Sequence, residues 1–218
     1  MTRIASWITL LAVACSLATP VTAQAADVIH ADVLVGAGHE GRPESCKRFP
    51  KHKCNLGTAG ERTLTPQIAN EVAQILKARG LSVIRVPADF DGQYDVKDAV
   101  FIHFDGSAPA CSSGASIGYH NIQDQNAAAA WRALYTRYWG FQFRPDNITD
   151  NLRDYYAFRQ VRASDAALVL ELGELTCPAQ ATWLLHNLPL EADLIARFLL
   201  SRLRESPGGL PRTGLRVP

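Results

Sequence analysis

Four polar residues in this chain are of the types and at the places that hydrolytic metal chemistry requires: His39, Glu61, His103 and Glu171. Two imidazoles and one carboxylate are a sufficient protein ligand set for a catalytic zinc with one position left open to water. Such a metal lowers the pKa of its water to about 7 and polarises a carbonyl. A further carboxylate must then accept the water's proton and pass it to a leaving nitrogen. In this reading His39, Glu61 and His103 are the metal ligands and Glu171 is the base. Taken singly, each has a plainer explanation. A lone His at a strand end is more often a hydrogen-bonded structural residue, and a lone Glu before a helix more often favours the helix N-terminus.

The elements around these residues give the set its weight. Residues 31–36 (ADVLVG) form an apolar run ending in Gly, as a buried strand does, and lead directly to His39. Residues 40–60 are polar and rich in Gly, Pro and Lys, and read as a loop. Thr65-Pro66 reads as a helix start, with Ile68, Val72, Ile75 and Leu76 on one face and Gly80 at the end. Residues 81–86 (LSVIRV) are the next strand, which completes a β-α-β unit. Residues 99–103 (AVFIH) form a buried strand that ends on His103, and residues 166–171 (AALVLE) one that ends on Glu171. Helices are expected over 127–139, with Trp131, Leu134, Tyr135 and Tyr138 inward, and over about 190–203, with Leu194, Ile195, Phe198 and Leu199 inward. Alternating strands and helices imply an α/β fold, a three-layer sandwich on a largely parallel sheet in a single domain. In such a sheet, strand ends and the starts of the following helices share one edge, where ligands bind.

At these residues the sequence resembles the zinc-dependent N-acetylmuramoyl-L-alanine amidases of the Amidase_3 type. Val35-Gly36-Ala37-Gly38-His39-Glu40-Gly41 resembles the family's opening D-A-G-H-G-G segment, whose His binds zinc. Glu61 stands seven residues before Ile68-Ala69, an offset similar to that of the family's zinc-binding Glu. Phe101-Ile102-His103-Phe104-Asp105 resembles S-I-H-A-N, the source of the third ligand. Leu168-Val169-Leu170-Glu171-Leu172-Gly173 resembles V-L-V-E-L-G-F, whose Glu is the catalytic base. The resemblance spans about residues 33–203. It implies a zinc hydrolase that cuts the amide bond between N-acetylmuramic acid and L-alanine in peptidoglycan. There are departures: Gly36 for Asp, Glu40 for Gly, Phe104-Asp105 for Ala-Asn, Glu174 for Phe, and an insertion around Cys46 and Cys54. These leave the proposed ligands intact but alter the rim. A zinc peptidase or amidase acting on another exported substrate, or a catalytically silent wall-binding module, is therefore the competing expectation.

Other polar residues have weaker claims. Glu40 adjoins His39, and adjacent side chains in extended backbone point apart. Glu44 and His52 lie in the loop and read as solvated, and His120 and His186 as structural or surface groups. Glu174 is read as assisting the site or as an ordinary surface group, the latter at least as well supported. Tyr155 and Tyr156 are read as packing residues or as part of a substrate groove.

The chain has 218 residues with a hydrophobic fraction of 47%, enough for one core. Residues 1–25 read as a signal peptide: Arg3, a short apolar stretch, then Ala23-Gln24-Ala25 before the cleavage point. Pro20 interrupts the apolar run too early for a bilayer span. A lipid-modified start at Cys15 is the alternative, though the preceding residues lack the Leu of a good lipobox. The expected organisation is therefore 1–25 signal, 26–205 catalytic domain and 206–218 tail, with a periplasmic or secreted product. Removing Arg3 from the 22 basic residues leaves 21, equal to the 21 acidic ones. That balance argues against nucleic acid as a partner. Cys46, Cys54, Cys111 and Cys177 remain, an even number suited to an oxidising compartment. Of the three pairings, Cys46–Cys54 with Cys111–Cys177 is the one expected. No C-x-x-C pair supports a cysteine metal site.

Overall fold

The computed structural model describes residues 27–48 and 54–205. The signal and tail segments, Cys15 and His52 lie outside these residues. Among the described residues, five strands form one sheet, and helices and 3-10 turns flank it. The strands are β1 (Val28–Ala37), β2 (Val83–Val86), β3 (Gln93–Asp105), β4 (Ser116–Gly118) and β5 (Val161–Glu174), in the order β2-β1-β3-β5-β4. All neighbours are parallel except β4, which runs antiparallel to β5. The expected strands are all present, and longer at one or both ends except β2. Of the strands only β4 escapes sequence reading, because three residues carry no periodicity, and of the helices those at Asp150–Arg153 and Pro178–His186 do.

The central strands are apolar on both faces because both faces are covered. Val33, Leu34 and Val35 are fully buried in sequence. One face packs against α1 (Glu61–Ala78), α2 (Gln125–Tyr135), α4 (Pro178–His186) and α5 (Leu188–Glu205). The other layer is thin. It comprises α3 (Asp150–Arg153) and a 3-10 turn at Tyr156–Arg159, with Phe90, Tyr94 and Leu152 packed on Leu34, Phe101 and Val169.

In α1, the residues Ile68, Ala69, Val72 and Leu76 face the core as expected. Its end is also as expected: Gly80, at φ +84°, closes a Schellman turn through Gly80 N–H to Lys77 O and Leu81 N–H to Leu76 O. Its start is not. The helix begins four residues before Thr65, where the Gly60 carbonyl accepts from Thr63 and Leu64. Pro66 therefore lies inside, where it removes one backbone bond. Burial of Leu64, Thr65, Ile68 and Ala69 outweighs that loss.

On α2, Trp131 and Tyr135 are fully buried and stacked at 4.9 Å between centroids. Trp139 continues the stack, whereas Tyr138 is exposed, contrary to expectation. The Tyr135 hydroxyl lies 2.8 Å from the Leu172 carbonyl and 2.6 Å from the Glu191 carboxyl of α5, in a fully buried site. Among the described residues no helix is long and apolar enough to cross a membrane.

Candidate metal centre

β1 continues through α1 to β2 on one side in the sheet, while β3 is followed by β4 and then β5 on the other. The connections diverge between β1 and β3, and the carboxyl ends of strands at such a switch point are where ligands bind in α/β sheets. His39 and His103 come from these two strand ends.

His39 lies two residues past β1 and adopts φ +58°, a left-handed conformation uncommon outside glycine. Gly38 N–H donates to the Ile102 carbonyl at 2.8 Å, pinning the turn to β3. A Cβ on Gly38 would run into the His103 ring, so only glycine lets the two segments approach. Glu61 is the first residue of α1 and 1% exposed. Its Oε1 accepts from Phe104 N–H and its Oε2 from Thr58 N–H, both at 3.0 Å. The positive end of the helix also favours its charge.

These segments bring His39, Glu61 and His103 together. One ligand atom from each lies within 4.8 Å of the others, and all three residues are buried. His103 Nδ1 is 3.0 Å, and His39 Nε2 3.6 Å, from Glu61 Oε1. The outward nitrogens are also engaged: His39 Nδ1–H donates to the Asn55 carbonyl at 2.7 Å, and His103 Nε2 lies 3.0 Å from the Tyr155 hydroxyl. Such outer partners orient ligating imidazoles and set their tautomers. Burial, with the neighbouring His103 charge, outweighs the pull of Glu61 and lowers the His39 pKa to about 4. The ring is then neutral at physiological pH, the form that binds a metal. Burial alone would raise the Glu61 pKa. The His103 hydrogen bond and the histidine charges outweigh it and hold the carboxyl below its usual range.

Glu171 sits beside His103 in the β3–β5 register, so their side chains share one face of the sheet. Its Oε2 is buried with no hydrogen-bond partner among the described residues. Burial first, then the Glu61 charge, then Asp105 push its carboxyl well above the usual range. The register slips just beyond, between His103/Glu171 and Asp105/Glu174, and Gly173 in the bulge carries φ +159°.

The residues fit a divalent metal on three counts. The donor set is two neutral-capable imidazoles and one ionised carboxylate. An orphaned carboxylate oxygen stands next to them. The cradle is also tight, since a Cβ on Gly57, at φ +74°, would collide with Glu61 and the His39 ring.

The residues with weaker sequence claims lie apart from the centre. Glu40 pairs with Arg85 at 2.5 Å, and Glu44 with Arg62. His120 is exposed, 3.7 Å from Asp154, and His186 caps the Thr182 carbonyl at 2.7 Å. Glu174, read as assisting the site or as a surface group, is fully buried, which removes the surface alternative. It accepts from Ser107 Oγ at 2.6 Å, from Cys111 and Ser113 N–H at 2.8 Å each, and from Thr176 Oγ1. Both expected disulfides form, and Cys111–Cys177 ties this same loop to the start of α4. Sequence reading missed the part of the Asn55 carbonyl and the contact of Tyr155 with His103. Asn55 acts through its backbone carbonyl, which no residue type announces.

Comparisons with protein-family models and with curated proteins return no match. Solved structures do match. The fold is similar to that of N-acetylmuramoyl-L-alanine amidase from Clostridium difficile 630, with TM-score 0.57 and 18% identity over 83% of this chain and 99% of that one. The catalytic domain of CwlV, N-acetylmuramoyl-L-alanine amidase from Bacillus (Paenibacillus) polymyxa var. colistinus, matches with TM-score 0.57 and 18% identity over 82% and 100% of the two chains. Ami1, the N-acetylmuramyl-L-alanine amidase from Mycobacterium smegmatis, gives 0.57 and 16% over 82% and 98%. The neighbours are covered almost end to end, so this chain has the fold of these amidases as a whole.

Proposed function

We propose that this chain is a zinc-dependent hydrolase that cleaves the amide bond between N-acetylmuramic acid and L-alanine in peptidoglycan. The observation that carries the reading is the convergence of His39, Glu61 and His103 beside the unpartnered Glu171 oxygen. The shared fold of the amidases supports it. His39, Glu61 and His103 would hold the metal. When bound, zinc supplies a Lewis acid for the scissile carbonyl and acidifies a water.

The chain's own residues do the rest. Asn55 and Tyr155 hold the two rings with their ligating nitrogens toward Glu61. Glu171 takes a proton from the water that attacks the amide carbon and returns it to the leaving nitrogen. Burial and the neighbouring Glu61 charge push this carboxyl up, which strengthens it as a proton acceptor. The two disulfides and the leader-like residues 1–25 support an exported, periplasmic or secreted location.

The test joins elemental analysis of purified protein to digestion of purified wall. The expected result is about one zinc per chain, lost in His103→Ala, with new N-terminal L-alanine ends identified by mass spectrometry. Zinc-dependent release of a different peptide end would instead make it a peptidase. Wall binding without zinc or product would make it a silent binding module.

A further inference from the structure

The two imidazoles of the centre are braced from behind, and one side chain reaches the first brace directly and the second through Tyr156. Arg42 Nη1 donates to the Asn55 carbonyl at 2.6 Å, the same oxygen that accepts from His39 Nδ1–H. Its Nε and Nη2 donate to Asp89 Oδ1 at 3.1 and 2.9 Å, which fixes the plane of the guanidinium. That plane lies over the Tyr156 ring, 5.9 Å from its centroid. The Tyr156 hydroxyl donates to the Ala88 carbonyl and stands 3.4 Å from the Tyr155 hydroxyl, the partner of His103 Nε2.

We propose that Arg42 is a positioning residue of the metal centre, which braces the outer partners of His39 and His103 together. The inference rests on the metal-binding reading above and adds a residue to it. Arg42 stands in the loop between the first two proposed ligands and touches no ligating atom. It adjoins the outward nitrogen of His39, with Nη1 at 3.1 Å from Nδ1. A guanidinium has no lone pair to offer. The ring proton on Nδ1 therefore goes to Asn55, leaving Nε2 free to ligate.

A surface ion pair with Asp89 is the simpler account of Arg42, but it does not suffice. The Asp89 side chain is 63% exposed, while that of Arg42 is 14% exposed. Exposed partners contribute little to stability. The buried end of Arg42, at Asn55 and Tyr156, is the part that an ion pair leaves unexplained. Lysine is no substitute here, because one ammonium does not supply the planar fork that reaches Asn55 and Asp89 together while covering Tyr156.

The test is zinc affinity by competition with a chromogenic chelator on the mature chain with both disulfides formed. Wild type, Arg42→Lys and Asp89→Asn are compared, each with the thermal midpoint of its metal-free form. Arg42→Lys should bind zinc about 10-fold or more weakly, the usual cost of losing an outer partner. Asp89→Asn should also bind more weakly, by less than Arg42→Lys, with an unchanged metal-free midpoint. Unchanged zinc affinity in folded Arg42→Lys overturns the proposal, including where the metal-free midpoint falls, since that pattern is a purely structural role. Should Arg42→Lys fail to fold, unchanged affinity in Asp89→Asn overturns it equally. A folded wild type that binds no zinc overturns the metal-binding reading, and the brace with it.

Discussion

Glu171 and Glu174 stand three residues apart on one strand, and their surroundings make them chemical opposites. Glu171 has a buried oxygen with no partner, and burial with neighbouring negative charge pushes its carboxyl up. Burial works to raise Glu174 too. There, hydrogen bonds from Ser107, Thr176 and the loop backbone outweigh it and hold the carboxyl below its usual range. The bulge at Gly173 separates the two fates by turning the strand between them. A carboxylate saturated with donors is a structural anchor. One left short of donors keeps its capacity for a proton or a ligand.

The largest effect that separates the pair is catalytic. Glu171→Gln should lower turnover on purified wall by about 10³-fold while zinc content stays at the wild-type level. Retained turnover would break the contrast outright. Glu174→Ala should act on stability instead, because Ser107 Oγ, Thr176 Oγ1 and the Cys111 and Ser113 N–H groups lose their acceptor together. About 3 kcal/mol is expected from urea unfolding. A loss no larger than that of an ordinary surface substitution would restore the surface reading.

The pH dependence of the metal-free protein should then divide the two by sign. A carboxyl raised above its ordinary 4.5 stabilises the fold at low pH, and that contribution is lost as pH rises; this is Glu171. A depressed carboxyl stabilises above 4.5, and the contribution is lost as pH falls; this is Glu174. Glu171→Gln should therefore flatten the alkaline side of the stability profile, and Glu174→Gln the acid side. Identical profiles for the two variants would remove the distinction. The smallest effect is Ser107→Ala, which removes one donor to Glu174 and should cost about 1 kcal/mol with turnover unchanged. A fall in turnover there would tie the anchor to the chemistry.

The proposed site was legible where a side chain coincides with a strand end or a motif. His39, His103 and Glu171 each terminate an apolar run or lie just past one, and the sheet topology gathers them without further information. Glu61 was legible by offset, although its helix was read as starting at Thr65. Thr-Pro is a good local start signal, but the Gly60 turn and the packing of Leu64 and Thr65 outweigh it. The burial of Glu174 was not legible because most of its donors come from a loop some sixty residues earlier, which no local window contains. The Asn55 carbonyl is a backbone group and so has no signature at all. Local chemistry shows in a sequence, whereas partners recruited by closure of the fold do not.

The Tyr135 hydroxyl has one proton and two oxygens beside it, those of Leu172 and Glu191. The hydroxyl donates to Glu191 Oε1, which favours the charged carboxylate. Burial raises the Glu191 pKa to about 8, with Tyr135 opposing. The unfolded chain holds no proton at that carboxyl at neutral pH, because its ordinary value is 4.5. Folding at pH 7 therefore draws close to one hydrogen ion from the solvent at this position, and stability falls as pH rises from 4.5 through about 8. Calorimetric unfolding enthalpies measured in buffers of different ionisation heat should differ accordingly, which makes the core of this protein a countable part of its acid–base balance.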